Sequence, residues 1–478
     1  GTLVGAFAAR QRLLELWQTP GGPHFLTIYV MTTETPRAWW WGSQQPARRY
    51  TMATRQWVRR GAIAGAWLAA GWMAHAATSV SMWVHAGPGP ERDVYVASVK
   101  AFNESQKDVN VQLVSLPEGS YNDQIGAAAL ANKLPCILDF DGPNLYNYAW
   151  SGKLRPLNGL GIEKLVQSKT VLPTLQRQGM YQGKLYSVAQ YDSGLAIWGK
   201  SKQLTDAGIR IPKGVDDAWT RAEFEDALSK LKARGVKVPL DMKFNYGIGE
   251  WISYGFAPIV QSFGADLIQR KTYRSAQGVL NSAEAVEALT MLQGWVKKGY
   301  VNPGTKNDGD FVQGTSALSW VGHWAHNDYR KALGDDLVLI PMPKLGREAV
   351  TGAGSWNFGI TKNCPAPEAA SKVLEFLMSK DQILRITAAN GAVPATQEAQ
   401  MDSPNYKTGG ALSLYVEQSN KGIARVRPET PAYPVISAAF AEAVNNIVNG
   451  ADVKKELDKA VKKIDTDIED NNGYQPAR

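Results

Sequence analysis

Two carboxylates stand two residues apart at the end of an apolar run, Leu134-Pro-Cys-Ile-Leu-Asp139-Phe-Asp141. A strand has a side-chain period of two, so both carboxylates leave one face, at the strand end where open α/β sheets hold ligands. The pair has three possible uses: acid/base work on a glycosidic bond, hydrogen-bonding to a polyol, or structural capping. Glycosidase carboxylates face each other across a cleft from separate elements, which favours the polyol use for two that share a strand. A second constellation is His323 and His326, whose i, i+3 spacing puts them on one helical face. A metal would need a third ligand, and His85 is the one other histidine beyond residue 76.

The third constellation is aromatic. Gly322-His323-Trp324 and Gly354-Ser355-Trp356 each set an indole beside a residue with no side chain, in polar, Gly-rich surroundings. They belong to a larger set of Trp83, Tyr121, Tyr191, Trp251, Tyr254, Trp324, Trp356 and Tyr433, interleaved with His85, Glu91, Asp192, Glu250 and Arg427. Sugars have apolar C–H faces and a rim of hydroxyls, so aromatic plates with charged hydrogen-bonding groups suit their binding. Each aromatic taken singly suits a core equally well, and the grouping carries the reading.

Signatures of catalysis are missing: no GxGxxG, G-x-S-x-G, HExxH or paired CxxC occurs. Gly194-Leu-Ala-Ile-Trp-Gly199-Lys200-Ser201 does match the phosphate-loop pattern. However, its middle is an apolar run that reads as a strand, where a phosphate loop needs a flexible cradle of backbone N–H groups. No enzymatic activity, cofactor or resident metal is expected.

The elements that position these residues alternate. Val80 to His85, Val109 to Ser115 and Cys136 to Phe140 read as strands, with helices over Arg92 to Gln106 and Tyr121 to Ala131 between them. This βαβ order predicts an α/β fold with a mostly parallel sheet flanked by helices. Thr220 and Glu223 fit a capping box and Gly235 a helix stop, and a charged helix is expected from Lys455 to Ile468.

The chain has 478 residues, 44% hydrophobic and 20% charged, with a net charge of +8. The surplus sits at one end: residues 1–76 carry eight Arg against two acidic residues, leaving 44 basic against 42 acidic beyond them. A nucleic-acid or membrane-surface role loses its support. Within that end, Met52, Arg55, Arg59 and Arg60, the apolar run Gly61 to Met73 and Ala74-His75-Ala76 form the three parts of a signal peptide, 52–76. Residues 1–51 read as an upstream segment outside the fold. Neither cysteine, Cys136 or Cys364, follows the apolar run as a lipid anchor would require, so a soluble product in an oxidising, periplasmic space is expected. There the two thiols either bridge or stay buried and free.

Taken in order, the segments resemble the extracellular sugar-binding proteins of ABC importers, the group that includes the maltose-binding protein. The resemblance runs from Val80-Ser-Met-Trp83 through Leu134 to Phe140, Gly183-Lys-Leu-Tyr-Ser-Val188, Ala218 to Phe224, Gly322-His-Trp324 and Trp356-Asn-Phe-Gly-Ile360, to Arg427-Pro-Glu-Thr-Pro-Ala-Tyr-Pro434. It implies the two-lobed, type II periplasmic-binding-protein fold: 77–192 plus 351–400 as the first lobe, 193–350 plus 401–478 as the second. Crossing strands would form the hinge and a sugar would lie between the lobes. It further implies that Trp324 is the stacking aromatic of the second lobe and that Trp356 stands at the hinge mouth. Asp139 and Asp141 fall at a strand end that supplies polar contacts. Cys136 and Cys364 fall at the start and finish of neighbouring antiparallel strands, which favours the bridge. The implied partners are a sugar and the transmembrane subunits of a permease, with a monomer expected. The rival readings are an exported carbohydrate-active enzyme using Asp139 or Asp141, and a metal-binding two-lobed protein.

Overall fold

The computed structural model describes residues 76–168 and 171–475, all within one compact unit, Ala74–Arg478. The upstream segment 1–51 and, except for Ala76, the signal segment lie outside the described residues.

The first strands follow from alternation and β-branching. β1 (Thr78–Val84) buries Val80, Met82 and Val84 and turns Ser81 and Trp83 to its other face. It lies parallel to β2 (Val109–Ser115) and to β3 (Ile137–Asp141), which is buried along its whole length. Helix α1 (Pro90–Ser105) makes the crossover from β1 to β2. The phosphate-loop look-alike is indeed a strand, β4 (Leu195–Lys200), with every residue buried. It opens a second sheet, pairing antiparallel with β5 (Leu318–Gly322) on one side and with Leu337–Ile340 on the other. The chain then returns to the first sheet as β6 (Trp356–Ile360), antiparallel to β3.

Parallel pairing therefore holds for β1, β2 and β3, where helices make the crossovers. It does not hold for the second sheet, whose single parallel pair is β5 with Leu240–Asp241. Strands that arrive from, or return to, the other sheet run in the opposite sense, so both sheets are mixed.

Each sheet has its own core. Side chains from 80–191 and 358–399 pack on the first sheet, and side chains mainly from 195–345 and 406–468 pack on the second. Two short ladders mark the passages between them: Tyr191–Asp192 with Val393–Pro394, and Thr351–Ala353 with Ala424–Val426. A side-chain bond ties two passages together, with the Leu195 amide donating to Thr351 Oγ1 at 2.8 Å.

Local signals set the helices of the second half. α2 (Arg221–Ala233) begins at the Thr220/Glu223 capping box, and Gly235 just beyond its end has φ 88°. The last long helix, α3 (Val453–Asp470), is capped by Asp452 accepting from the Lys455 amide at 2.9 Å. It buries Val453, Leu457, Ala460, Val461, Ile464 and Ile468, one stripe at helical spacing. Fully burying a side chain such as Leu457 or Ile464 stabilises by about 1.5–3 kcal/mol.

Candidate functional site

Cores claim many of the tryptophans: Trp198, Trp219, Trp295 and Trp320 are all wholly buried. Trp324 and Trp356 are only partly buried, and each stands at the centre of an aromatic group on its own sheet.

On the first sheet, register sets Trp356 opposite Asp141 at the end of the β3–β6 pair. Its indole stacks on the imidazole of His85, which follows β1, with centroids 3.5 Å apart and planes 4° from parallel. Tyr121 meets the indole edge-on at 5.9 Å and donates its hydroxyl to the Asp139 carbonyl at 2.8 Å. Asp139 itself is wholly buried. Its Oδ2 accepts from the His85 amide at 3.1 Å and bonds the ring Nδ1. Burial opposes a charged ring here, but the charge and hydrogen bond of Asp139, aided by Glu91, outweigh it and push the His85 pKa up to about 9. His85 is therefore an imidazolium at neutral pH. Burial pushes Asp139 the other way, toward its neutral form, and His85 counters it.

On the second sheet, Trp324 follows β5 in a tight turn, and its ring lies flat over Gly322. A Cβ at residue 322 would sit 2.0 Å from the indole, so only glycine fits. Trp251 meets Trp324 edge-on at 5.9 Å, Tyr254 lies tilted at 6.2 Å, and the Trp324 Nε1–H donates to the Tyr246 hydroxyl at 3.2 Å.

Arg427 joins the two walls. Its guanidinium donates to both oxygens of Asp141, at 2.5 and 2.7 Å, and also to Glu250 at the start of helix Glu250–Ser262. It lies 4.8 Å over the ring of Tyr254. Glu250 in turn accepts from the Tyr433 hydroxyl and, at 3.0 Å, from Ser437. Burial drives the Glu250 carboxyl up, and Arg427 restrains it. The two carboxylates hold Arg427 in its charged form against burial. Asp141 belongs to the first sheet, whereas Glu250, Tyr254 and Tyr433 stand on helices packed on the second. The ion pair therefore spans the gap between them.

A smaller link connects the middle residues of the two Gly-x-Trp elements. Ser193 Oγ lies 2.8 Å from His323 Nε2 and 2.8 Å from Ser355 Oγ. His323 Nδ1 lies 2.8 Å from the carbonyl of Asn390, which can only accept, so Nδ1 carries the proton and Nε2 accepts from Ser193. The single proton of the Ser193 hydroxyl is thus shared between two acceptors, His323 Nε2 and Ser355 Oγ. Burial keeps His323 uncharged, with a pKa near 4. Ser193→Ala would leave His323 Nε2 and Ser355 without their shared partner, and a loss of about 1–3 kcal/mol in unfolding free energy is expected. An unchanged urea midpoint would reject this link.

Known proteins decide the family. The family model for bacterial extracellular solute-binding proteins matches residues 97–413, well over half of the chain. The chain belongs to that family. A binding protein of Brucella abortus strain 2308 is 23% identical over 330 residues, covering 64% of this chain and 72% of the relative. Among solved structures, the GacH receptor of Streptomyces glaucescens, studied unliganded and with acarbose, is similar at a TM-score of 0.71. It has 20% identity, over 84% of this chain and 100% of the receptor. The cyclic α-maltosyl-1,6-maltose binding protein of Arthrobacter globiformis reaches 0.66 at 23% identity, over 82% and 100%. The sugar-binding protein MalE of Xanthomonas citri reaches 0.67 at 17% identity, over 83% and 98%. At these identities the likeness speaks for the fold, the two-lobed α/β architecture of periplasmic binding proteins.

In this solute-binding protein, most residues singled out by sequence come together. Glu91 accepts from Tyr191 and from Asn390, both at 3.0 Å, and its carboxylate lies 3.8 Å from His85. Asp192 holds the passage between sheets by accepting from the amides of Ser193 and Gly354, both at 2.8 Å. Trp251 donates to the Met242 carbonyl at 3.1 Å. Trp83 packs on the small cluster that holds Tyr121, Phe140 and Tyr148, against which Trp356 also packs. Asp139 and Asp141 do not act as one pair, since the first is taken by His85 and the second by Arg427. His326 follows His323 by one 3-10 turn, its amide donating to the His323 carbonyl, and its ring lies 5.7 Å from Trp198. Among the described residues no group of three His, Cys, Asp or Glu could hold a metal ion. Sequence reading missed Tyr246, Ser193 and Asn390. It also missed the roles of Ser355 and His323, although both lay in plain view inside the Gly-x-Trp elements.

Cys136 and Cys364 form a disulfide. Cys136 immediately precedes β3 and Cys364 follows β6. The antiparallel register ends at Ile137 opposite Ile360, which brings the flanking residues together. The Thr361 amide donates to the Cys136 carbonyl at 3.0 Å beside the bridge.

Proposed function

We propose that this protein captures a sugar between two lobes and presents it to the transmembrane subunits of an ABC importer. In this reading the first lobe comprises 77–192 plus 351–400 and the second 193–350 plus 401–478, a division that follows the two cores. The observation that carries the reading is the pair of partly exposed indoles, Trp324 and Trp356, each backed by further aromatic rings on its own sheet. Family membership supports it, as do the sugar ligands named for similar structures. The chemistry is that of binding alone. A sugar that touches both walls stabilises the closed arrangement by its differential affinity, and the permease reads that arrangement. Export to the periplasm is part of this reading, supported by the extracellular solute-binding family and by the signal-like segment. Among the described residues no helix is long and apolar enough to cross a membrane.

Trp324→Ala and Trp356→Ala are each expected to weaken sugar binding by about 1–3 kcal/mol, the value of an apolar face covered by an aromatic plate. Calorimetric titration with maltose and longer glucose oligomers checks this, with far-UV circular dichroism as the control for folding. Affinity that survives both substitutions would remove the stacking assignment.

A further inference from the structure

We infer that His85 is a positioning residue of the sugar site: its ring backs Trp356, holds that indole in one orientation and leaves it a single face for the sugar; this rests on the sugar-binding reading above. Trp356 opens β6 at the end of the sheet and is only partly buried. A partly exposed indole turns about two side-chain bonds, and ordering it on binding costs affinity. The imidazole removes that freedom in advance. Its plane lies 4° from parallel to the indole with centroids 3.5 Å apart, so it covers one face, and Tyr121 closes on the edge at 5.9 Å. His85 is only 3% exposed, so the exposed part of Trp356 lies away from it.

The imidazole is itself held from within the protein. Nδ1 is bonded to Asp139 Oδ2, and Nε2 faces the Glu91 carboxylate at 3.8 Å. One buried aspartate sets both supports of the indole, since Asp139 also accepts the His85 amide at 3.1 Å and, through its carbonyl, the Tyr121 hydroxyl at 2.8 Å. The titratable groups around the imidazole are Asp139 on β3, Glu91 on α1, and Glu118 and Tyr121 on helix Glu118–Leu130. None of them is a cation, and the ring keeps its proton at neutral pH. A charged ring over an indole face adds cation–π attraction to the stack. The other wall is built alike, because the ring of Trp324 lies flat over Gly322. Each plate therefore has one covered face.

The test has two arms. In proton NMR, the His85 resonance is assigned by its loss in His85→Phe. Its ring C–H is expected upfield, moved by the ring current of the indole, and titrating near pH 9, and Trp356→Ala should abolish the upfield shift. Calorimetry at pH 7 with maltose, trehalose and cellobiose then reads the role of the stack. His85→Gln keeps a donor for Asp139 but has no ring, and is expected to weaken the sugars that bind by about three- to tenfold, the equivalent of one aromatic pair. His85→Phe restores a flat ring and should recover part of that loss, with circular dichroism as the control for folding. A His85 resonance at an ordinary position, a folded His85→Gln that binds as tightly as the unsubstituted protein, or a loss that His85→Phe leaves unrecovered overturns the inference and leaves the sugar-binding reading standing. Absence of binding by all three sugars to the unsubstituted protein overturns that reading and the inference with it.

Discussion

Arg427→Ala is expected to lower the unfolding free energy by about 3–5 kcal/mol at pH 7, the usual cost of removing one partner from a buried ion pair. The loss exceeds that of a surface pair because Arg427 and Asp141 are both buried, at 6% and 7% exposure. Removing the cation leaves two carboxylates, Asp141 and Glu250, facing each other without compensation. The sign of the pH dependence follows. Glu250 is already held above its ordinary range by burial, and without Arg427 it rises further. A carboxyl whose folded pKa lies above its unfolded value binds more protons when folded, so the variant should regain stability as pH falls toward 5. Urea unfolding at pH 7 and pH 5 measures both effects. A variant with native stability at pH 7, or one that weakens further on acidification, would show that the ion pair does not carry the load assigned to it. Arg427→Lys should recover only part of the loss, because an ammonium cannot bond both oxygens of Asp141 and also lie flat on Tyr254.

The second large effect is expected from the disulfide. Cys136 and Cys364 are 228 residues apart in sequence, and cross-linking so long a loop restricts the unfolded chain strongly. Replacing both by Ser is expected to cost about 2–5 kcal/mol, near the upper end if chain entropy dominates. The bridge ties β3 to β6, both in the first sheet, so the loss should fall on the first lobe. Calorimetric melting of the double variant should show one transition shifted down while that of the second sheet stays in place, since a two-lobed chain need not unfold as one unit. An unshifted trace, or a uniform shift of the whole profile, would contradict this division.

Local chemistry made much of the fold legible in advance. The β2 strand, the Thr220 capping box and the burial of β4 behind its phosphate-loop spelling all follow from residue type and period. The mixed sheets did not follow, because strand direction depends on which passage brings the chain back, and periodicity carries no direction. At the site, the two indoles were visible from their glycines, and Gly322 shows why: no other residue fits beneath the ring of Trp324. What the sequence hid were pairings across long separations. Nothing near Asp141 foretells Arg427, and nothing near Asp139 foretells His85, so two carboxylates that looked like one pair turned out to have separate partners. Ser193 is the sharpest case, a serine in the Tyr-Asp-Ser-Gly segment between two strands whose hydroxyl links His323 to Ser355.

Trp324 and Trp356 are proposed to hold one sugar from opposite walls. A crystal structure of the protein grown with a saturating neutral oligosaccharide tests it most directly. The expected result is a single sugar in contact with both indoles and with the Arg427 guanidinium. A sugar bound elsewhere, or one lying against a single indole with the other wall untouched, would contradict the account.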